Sequence, residues 1–163
     1  MLSSTTAAWA TFTLCAVAAA LEGVCAGRNV RGFFETLRFP RYSAPLWAWS
    51  IIGVIYYAIF GFVVFRLLST APRTALAGIT LALIVAMMFG NALANLVIFR
   101  ARNLHLSYVI GCVFAALDAL LVGLVLQLDL VAAKALGPYL VYRFYAVWWG
   151  RALMKLNTRP RSQ

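Results

Sequence analysis

Five long apolar stretches occupy most of this chain, at about 7–27, 46–68, 75–99, 106–128 and 136–156. A helix rises about 1.5 Å per residue, so crossing a hydrocarbon layer of roughly 30 Å takes about 20 apolar residues. Each stretch meets that length. Backbone in lipid must satisfy its own hydrogen bonds, which leaves helices or closed barrels. Runs that are continuous rather than alternating choose helices. The expected fold is therefore all-α, an integral membrane bundle of five transmembrane helices. It forms one domain over residues 1–163, with the first loop, about 28–45, as a candidate lid. With 64% of residues hydrophobic and 11% charged, there is no room for a soluble domain.

A net charge of +10 raises the question of nucleic acid. The basic residues stand at stretch ends and in short connections rather than on one soluble face, so no nucleic-acid partner is expected. Their distribution gives a topology instead. One side holds Arg28, Arg31, Arg38, Arg41, Arg100, Arg102, Arg151, Lys155, Arg159 and Arg161; the other holds Arg66, Arg73 and Lys134. The positive-inside rule places the richer side in the cytoplasm, with the amino terminus outside and the carboxyl terminus cytoplasmic. The first stretch lacks a basic leader and carries Glu22 near its end, so it reads as a retained helix. Cys15, Cys25 and Cys112 all fall inside stretches, without metal or redox spacing, and read as small packed side chains.

Three connections are short, so consecutive helices are expected to be antiparallel neighbours. The first loop is longer and carries Phe33, Phe34, Phe39 and Tyr42 beside its four arginines. Such aromatics suit either anchoring at the headgroup level or a cover over a ligand. Pro45 reads as the residue just before the second helix, and Pro138 as a first-turn proline of the fifth.

Gly78, Ala82, Ala86, Gly90 and Ala94 put a small residue at every fourth position of the third helix. That strip is an internal seam or a homodimer interface, and its unbroken length favours the dimer. Asn91 and Asn95 lie one turn apart on the same helix and should face protein, water or ligand. Asp118 and Arg143 lie at depths differing by only about 5 Å, which predicts an intramembrane ion pair. Catalytic equipment is thin. His105 is the sole histidine, placed in a loop, and no phosphate loop, nucleophile elbow or carboxylate pair is present. No catalytic residue, metal site or required cofactor is expected.

From Phe33 the chain reads FFETLRFPRYSAPLWAWSIIGVIYYAIFG. Phe33, Phe34, Leu37, Pro40, Tyr42, Pro45, Trp47, Tyr57 and Gly61 follow, without a gap, the loop and second-helix pattern of the TspO/MBR family, the tryptophan-rich sensory or translocator proteins. Asn91, the run from Phe99 to Arg102, and Pro138, Tyr139, Leu140, Ala146 and Asn157 extend the resemblance. The chain departs from the pattern at Ala44, Gly53, Ala92, Ala94, Ile110, Tyr142 and Gly150.

The resemblance implies a five-helix bundle, usually a homodimer in a lipid bilayer, whose cavity lies under the first loop. It implies a ligand such as a porphyrin, haem or a sterol. By matched position, Phe34, Trp47, Gly53, Tyr57, Asn91, Tyr142 and Ala146 would line the pocket. Gly53, standing where the family has tryptophan, should enlarge it. The expected function is a non-enzymatic sensor, carrier or regulator. A porphyrin-degrading enzyme, or a small transporter using Asp118, is the alternative.

Overall fold

The computed structural model describes residues 2–158, and every regular element among them is helical. Helix α1 spans Ser4–Ala26, α2 Val30–Glu35, α3 Leu46–Thr70 and α4 Ala75–Asn95; α4 runs on into a π-helical turn, Leu96–Arg100. Helices α5, Leu104–Leu126, and α6, Leu130–Thr158, complete the chain. Arg159 and Arg161, counted in the charge asymmetry, lie outside the described residues.

Short polar side chains start the long helices by taking otherwise orphaned N–H groups. Ser3 accepts from the Thr6 amide, Thr74 from Ala77 and Asn103 from Leu106. His105 therefore sits in the first turn of α5, not in a loop. The strongest such cap overturns an expected boundary. Asp129 Oδ1 accepts from the amides of Val131 and Ala132, at 2.9 and 3.0 Å, so α6 begins at Leu130 rather than near 136. Lys134 is thus helical, and Pro138 lies inside the helix instead of in its first turn.

The second Asp129 oxygen accepts from Arg66 Nε at 2.8 Å and Thr70 Oγ1 at 3.1 Å, clamping the end of α3 to the start of α6. Burial alone would raise this carboxyl. The Ala132 amide, Arg66 and Thr70 together outweigh it and hold the group below its ordinary range.

Packing closes the five long helices into a ring in the order α1, α3, α6, α5, α4. Helices α3 and α4 are joined by a short turn yet touch less than either touches α1, so sequence neighbours are not always the main packing partners. Four helices are long and apolar enough to cross a membrane: α1, α3, α4 with its π turn, and α5. The expected count of five is not reached on length and composition, because α6 carries Lys134, Arg143, Arg151 and Lys155. Large apolar side chains nevertheless cover the outside of the ring, among them Trp9, Phe12, Val54, Ile79, Val113 and Phe144. That outer surface is what lipid requires and water penalises.

The interior is uneven along the ring axis. Phe60, Val63, Ile84, Met88, Leu121, Val125 and Leu136 fill the end near Asp129. Toward the first loop the same helices diverge around a hollow.

Candidate ligand cavity

The hollow has a volume of about 980 Å³. Helix α3 contributes Trp47, Trp49, Gly53 and Tyr56, and α6 contributes Tyr139, Tyr142, Arg143 and Trp149. Asn91 and Asn95 of α4, Phe99 of the π turn and Glu22 of α1 close the other sides. A Cβ at Gly53 would meet no atom within 4 Å, so this position holds the wall open.

The aromatic wall is continuous. Ring centroids step from Tyr56 to Tyr139 at 5.4 Å and from Tyr139 to Tyr142 at 5.9 Å. They continue from Tyr142 to Trp49 at 6.4 Å and from Trp49 to Trp149 at 4.6 Å. These spacings are those of interacting rings.

Over the hollow lies the first loop, which contains α2. Phe34 packs edge-on to Phe99 at 5.5 Å, and Phe39 reaches Trp149 at 6.3 Å. Three side chains of α6 hold the loop. Trp149 Nε1 donates to Ser43 Oγ at 2.8 Å, and the Ala44 amide donates to Tyr145 Oη at 3.2 Å. Asn157 brackets the Arg38 backbone, accepting from its N–H at 2.9 Å and donating to its carbonyl at 3.0 Å.

The π turn supplies the other support. Its extra residue lets the Ala101 amide reach back to the Leu96 carbonyl at 2.8 Å. The turn ends with Arg100 donating to the Val24 and Cys25 carbonyls at the end of α1. These are orphan groups of a helix terminus. Phe33 and Phe34 are buried in this arrangement, whereas Tyr42 is 70% exposed.

On the floor, Arg143 Nε donates to Asp118 Oδ2 at 2.6 Å, and Nη2 donates to Tyr139 Oη. The guanidinium also lies 5.2 Å from the Tyr139 ring centre and 5.5 Å from that of Phe114. Asp118 is only 2% exposed. An isolated charge there would be costly, and the pairing offsets much of that cost, while the second Asp118 oxygen is buried without a hydrogen-bond partner among the described residues.

Five of the seven positions expected at the pocket line this hollow: Phe34, Trp47, Gly53, Asn91 and Tyr142. Tyr57 does not. It turns toward α1, where its hydroxyl donates to Glu22 Oε2 at 2.7 Å, and Tyr56 takes the wall position. Ala146 lines a second, smaller cavity of about 180 Å³ between α4, α5 and α6. Ala94, Ile110 and Gly150, three departures from the family pattern, line that space too. Sequence reasoning missed Trp49, Tyr56, Tyr139 and Trp149. Trp49, Gly53 and Tyr56 follow helical spacing on one face, a signal that could have found two of them.

The small-residue strip divides. Gly78, Ala82 and Ala86 are exposed, while Gly90 faces inward, its missing Cβ position 3.1 Å from Phe114 Cζ. Among the described residues no three His, Cys, Asp or Glu side chains gather as metal ligands do.

A ring of lipid-compatible helices around a lidded aromatic hollow defines a membrane-embedded ligand-binding protein. A family model described as TspO/MBR family matches residues 11–150, and the chain belongs to that family. No curated protein matches the sequence.

Proposed function

We propose that the protein is a non-enzymatic sensor, carrier or regulator that binds a planar apolar ligand such as a porphyrin, haem or a sterol. The observation that carries this reading is the 980 Å³ hollow, walled by tilted and edge-on aromatic rings and covered by a loop fastened to α6. Its size is at the upper end for ligand pockets, and ring faces suit a flat apolar body. No resident cofactor is needed.

Three further points belong to the proposal. Helix α6 is the fifth crossing: Val141 and Phe144 are exposed apolar residues on its outer face, Arg143 is paired inside, and its other cations lie nearer its ends. The lid end, rich in arginine, faces the cytoplasm, with the amino terminus outside. The exposed face formed by Gly78, Ala82 and Ala86 is the homodimer contact.

A transporter with Asp118 as coupling carboxylate is disfavoured, because Arg143 already holds that group at 2.6 Å. Porphyrin breakdown, attributed to the family's pocket tryptophans, is disfavoured by Gly53.

The test is titration of detergent-solubilised protein with protoporphyrin while following tryptophan emission, since Trp49 and Trp149 lie in the wall. Saturable quenching is expected, weakened at least about tenfold by Phe34→Ala or Tyr142→Ala. Linear, unsaturable quenching up to the porphyrin's solubility limit rejects the reading.

A further inference from the structure

Among the described residues that border the large hollow, Glu22 alone is acidic, and a purely apolar ligand would give it no task. It lies one turn before the end of α1, a helix apolar enough to cross the membrane, where a carboxylate is costly. Tyr57 Oη donates to Oε2 at 2.7 Å and so fixes the direction of the group. Oε1 accepts from no described residue, and no described cation forms an ion pair with either oxygen. The neighbouring arginines are engaged elsewhere or stand in water. Arg143 is paired with Asp118 at 2.6 Å and Arg31 with Glu35 at 3.1 Å. Arg100 is turned onto the Val24 and Cys25 carbonyls, and Arg28 is exposed at the mouth. Glu22 is thus a partly buried carboxylate, aimed by a tyrosine, with one oxygen unused and no counter-charge in contact.

We infer that Glu22 is the recognition group for a protonated amine on the ligand, seated beside α1 while the flat apolar body lies against the rings of α3 and α6. The inference rests on the proposed reading of the hollow as a ligand site, and it narrows the ligand class to flat molecules with a basic nitrogen. Two physical terms select a cation over a neutral donor. An ammonium supplies the missing counter-charge and a charge-assisted bond to Oε1, roughly twice as strong as the bond an alcohol would make. The rings nearby add to it: Tyr56 lies with its centroid 5.0 Å from that of Tyr57, and Trp47 and Trp49 border the same space. Aromatic faces attract cations, tryptophan most of all. Arg28 opposes the amine from the mouth, but its exposure leaves that repulsion to be screened by water and salt. Tyr57 is a positioning residue here, acting through the carboxylate that it holds.

Three tricyclic probes of matched shape test this: 9-(aminomethyl)anthracene, protonated at neutral pH, 9-anthracenemethanol and 9-methylanthracene. Their affinities for the full-length protein in non-ionic detergent are read from anthracene emission, each corrected for partition into protein-free micelles. The amine is expected to bind about tenfold tighter than the alcohol or the hydrocarbon. Glu22→Gln keeps the shape of the side chain and removes its charge, and should bring the ratio of amine to hydrocarbon affinity to about one. Arg28→Gln removes the opposing cation and should raise that ratio, a second reading that does not depend on how Glu22→Gln folds. An amine that binds no tighter than the alcohol, or a preference that survives Glu22→Gln, overturns the inference and leaves the proposed function standing. Binding of none of the three by the parent protein overturns both.

Discussion

The two ends of the helix ring are made by the same five helices, yet between the helices one end has a fully buried core and the other is open. Near Asp129 the contributions are Ile84, Met88, Leu121 and Leu136, flexible or branched apolar side chains that interdigitate around the single Phe60 ring to full burial. Toward the lid they are Trp47, Trp49, Tyr56 and Tyr142, with Gly53 supplying no side chain at all. Rigid rings set at a tilt to one another cannot flow into the remaining space. Asn91, Asn95 and Arg143 add a second obstacle, since collapse around them would strip polar groups of partners. A cavity survives here because its walls are stiff and partly polar, not because apolar residues are scarce.

Asp118 and Arg143 mark the boundary between the two ends, so the largest effect is expected there. Asp118→Asn leaves a buried guanidinium without its counter-charge and should cost about 3–5 kcal/mol of stability. Replacing both, as Asp118→Leu with Arg143→Met, should recover most of that loss. Unfolding in detergent with increasing denaturant reads both. If the single variant unfolds like the parent protein, the pair does not anchor the floor.

The solid end should resist added volume. At Gly61 a Cβ would already stand 3.2 Å from Cys15 Sγ. Gly61→Leu is expected to cost about 1–3 kcal/mol through overpacking, read as a lower melting temperature. An unchanged melting point would mean that this end is looser than its burial implies.

A smaller effect is expected at the Asp129 clamp. Loss of the cap through Asp129→Ala should cost about 0.5–2 kcal/mol at neutral pH. Because the folded carboxyl sits below its ordinary value, its contribution is complete above the unfolded value of about 3.9. It fades as pH falls through the lower folded value. The difference in melting temperature between parent and variant should therefore shrink only below about pH 4. A difference that vanishes near pH 6 would assign the clamp to another group.

The same contrast governs what could be read from the sequence. The length and continuity of apolar runs located the five rods, and helical rise alone brought Asp118 and Arg143 to one level, because both follow from the geometry of a helix in a bilayer. The start of α6 was missed because hydropathy was followed where Asp129, a capping residue ahead of Leu-Val-Ala-Ala, carried the signal. Tyr56 and Tyr57 were exchanged because consecutive residues differ by about 100° around a helix, and only the position of α1 decides which faces the hollow. The order of the ring was not legible at all. Short turns join α3 to α4, but the packing of α1 between them depends on side-chain fit that no local pattern encodes.

The smallest expected change in stability belongs to Gly53→Leu, and it separates the two ends most sharply. Gly53 lies two turns or so from Gly61 on the same helix, but a Cβ at Gly53 would meet nothing within 4 Å. The added side chain enters open space, and leucine favours a helix over glycine by up to about 1 kcal/mol. Thermal unfolding should therefore be unchanged or slightly later. Ligand binding should fall, because the new side chain projects from the wall into the volume that a flat molecule would occupy. Stability and binding thus move independently at Gly53, whereas at Gly61 stability alone should move. A loss of stability at Gly53 as large as at Gly61 would mean that the lid end packs as tightly as the end near Asp129, and that the hollow is not maintained by its walls.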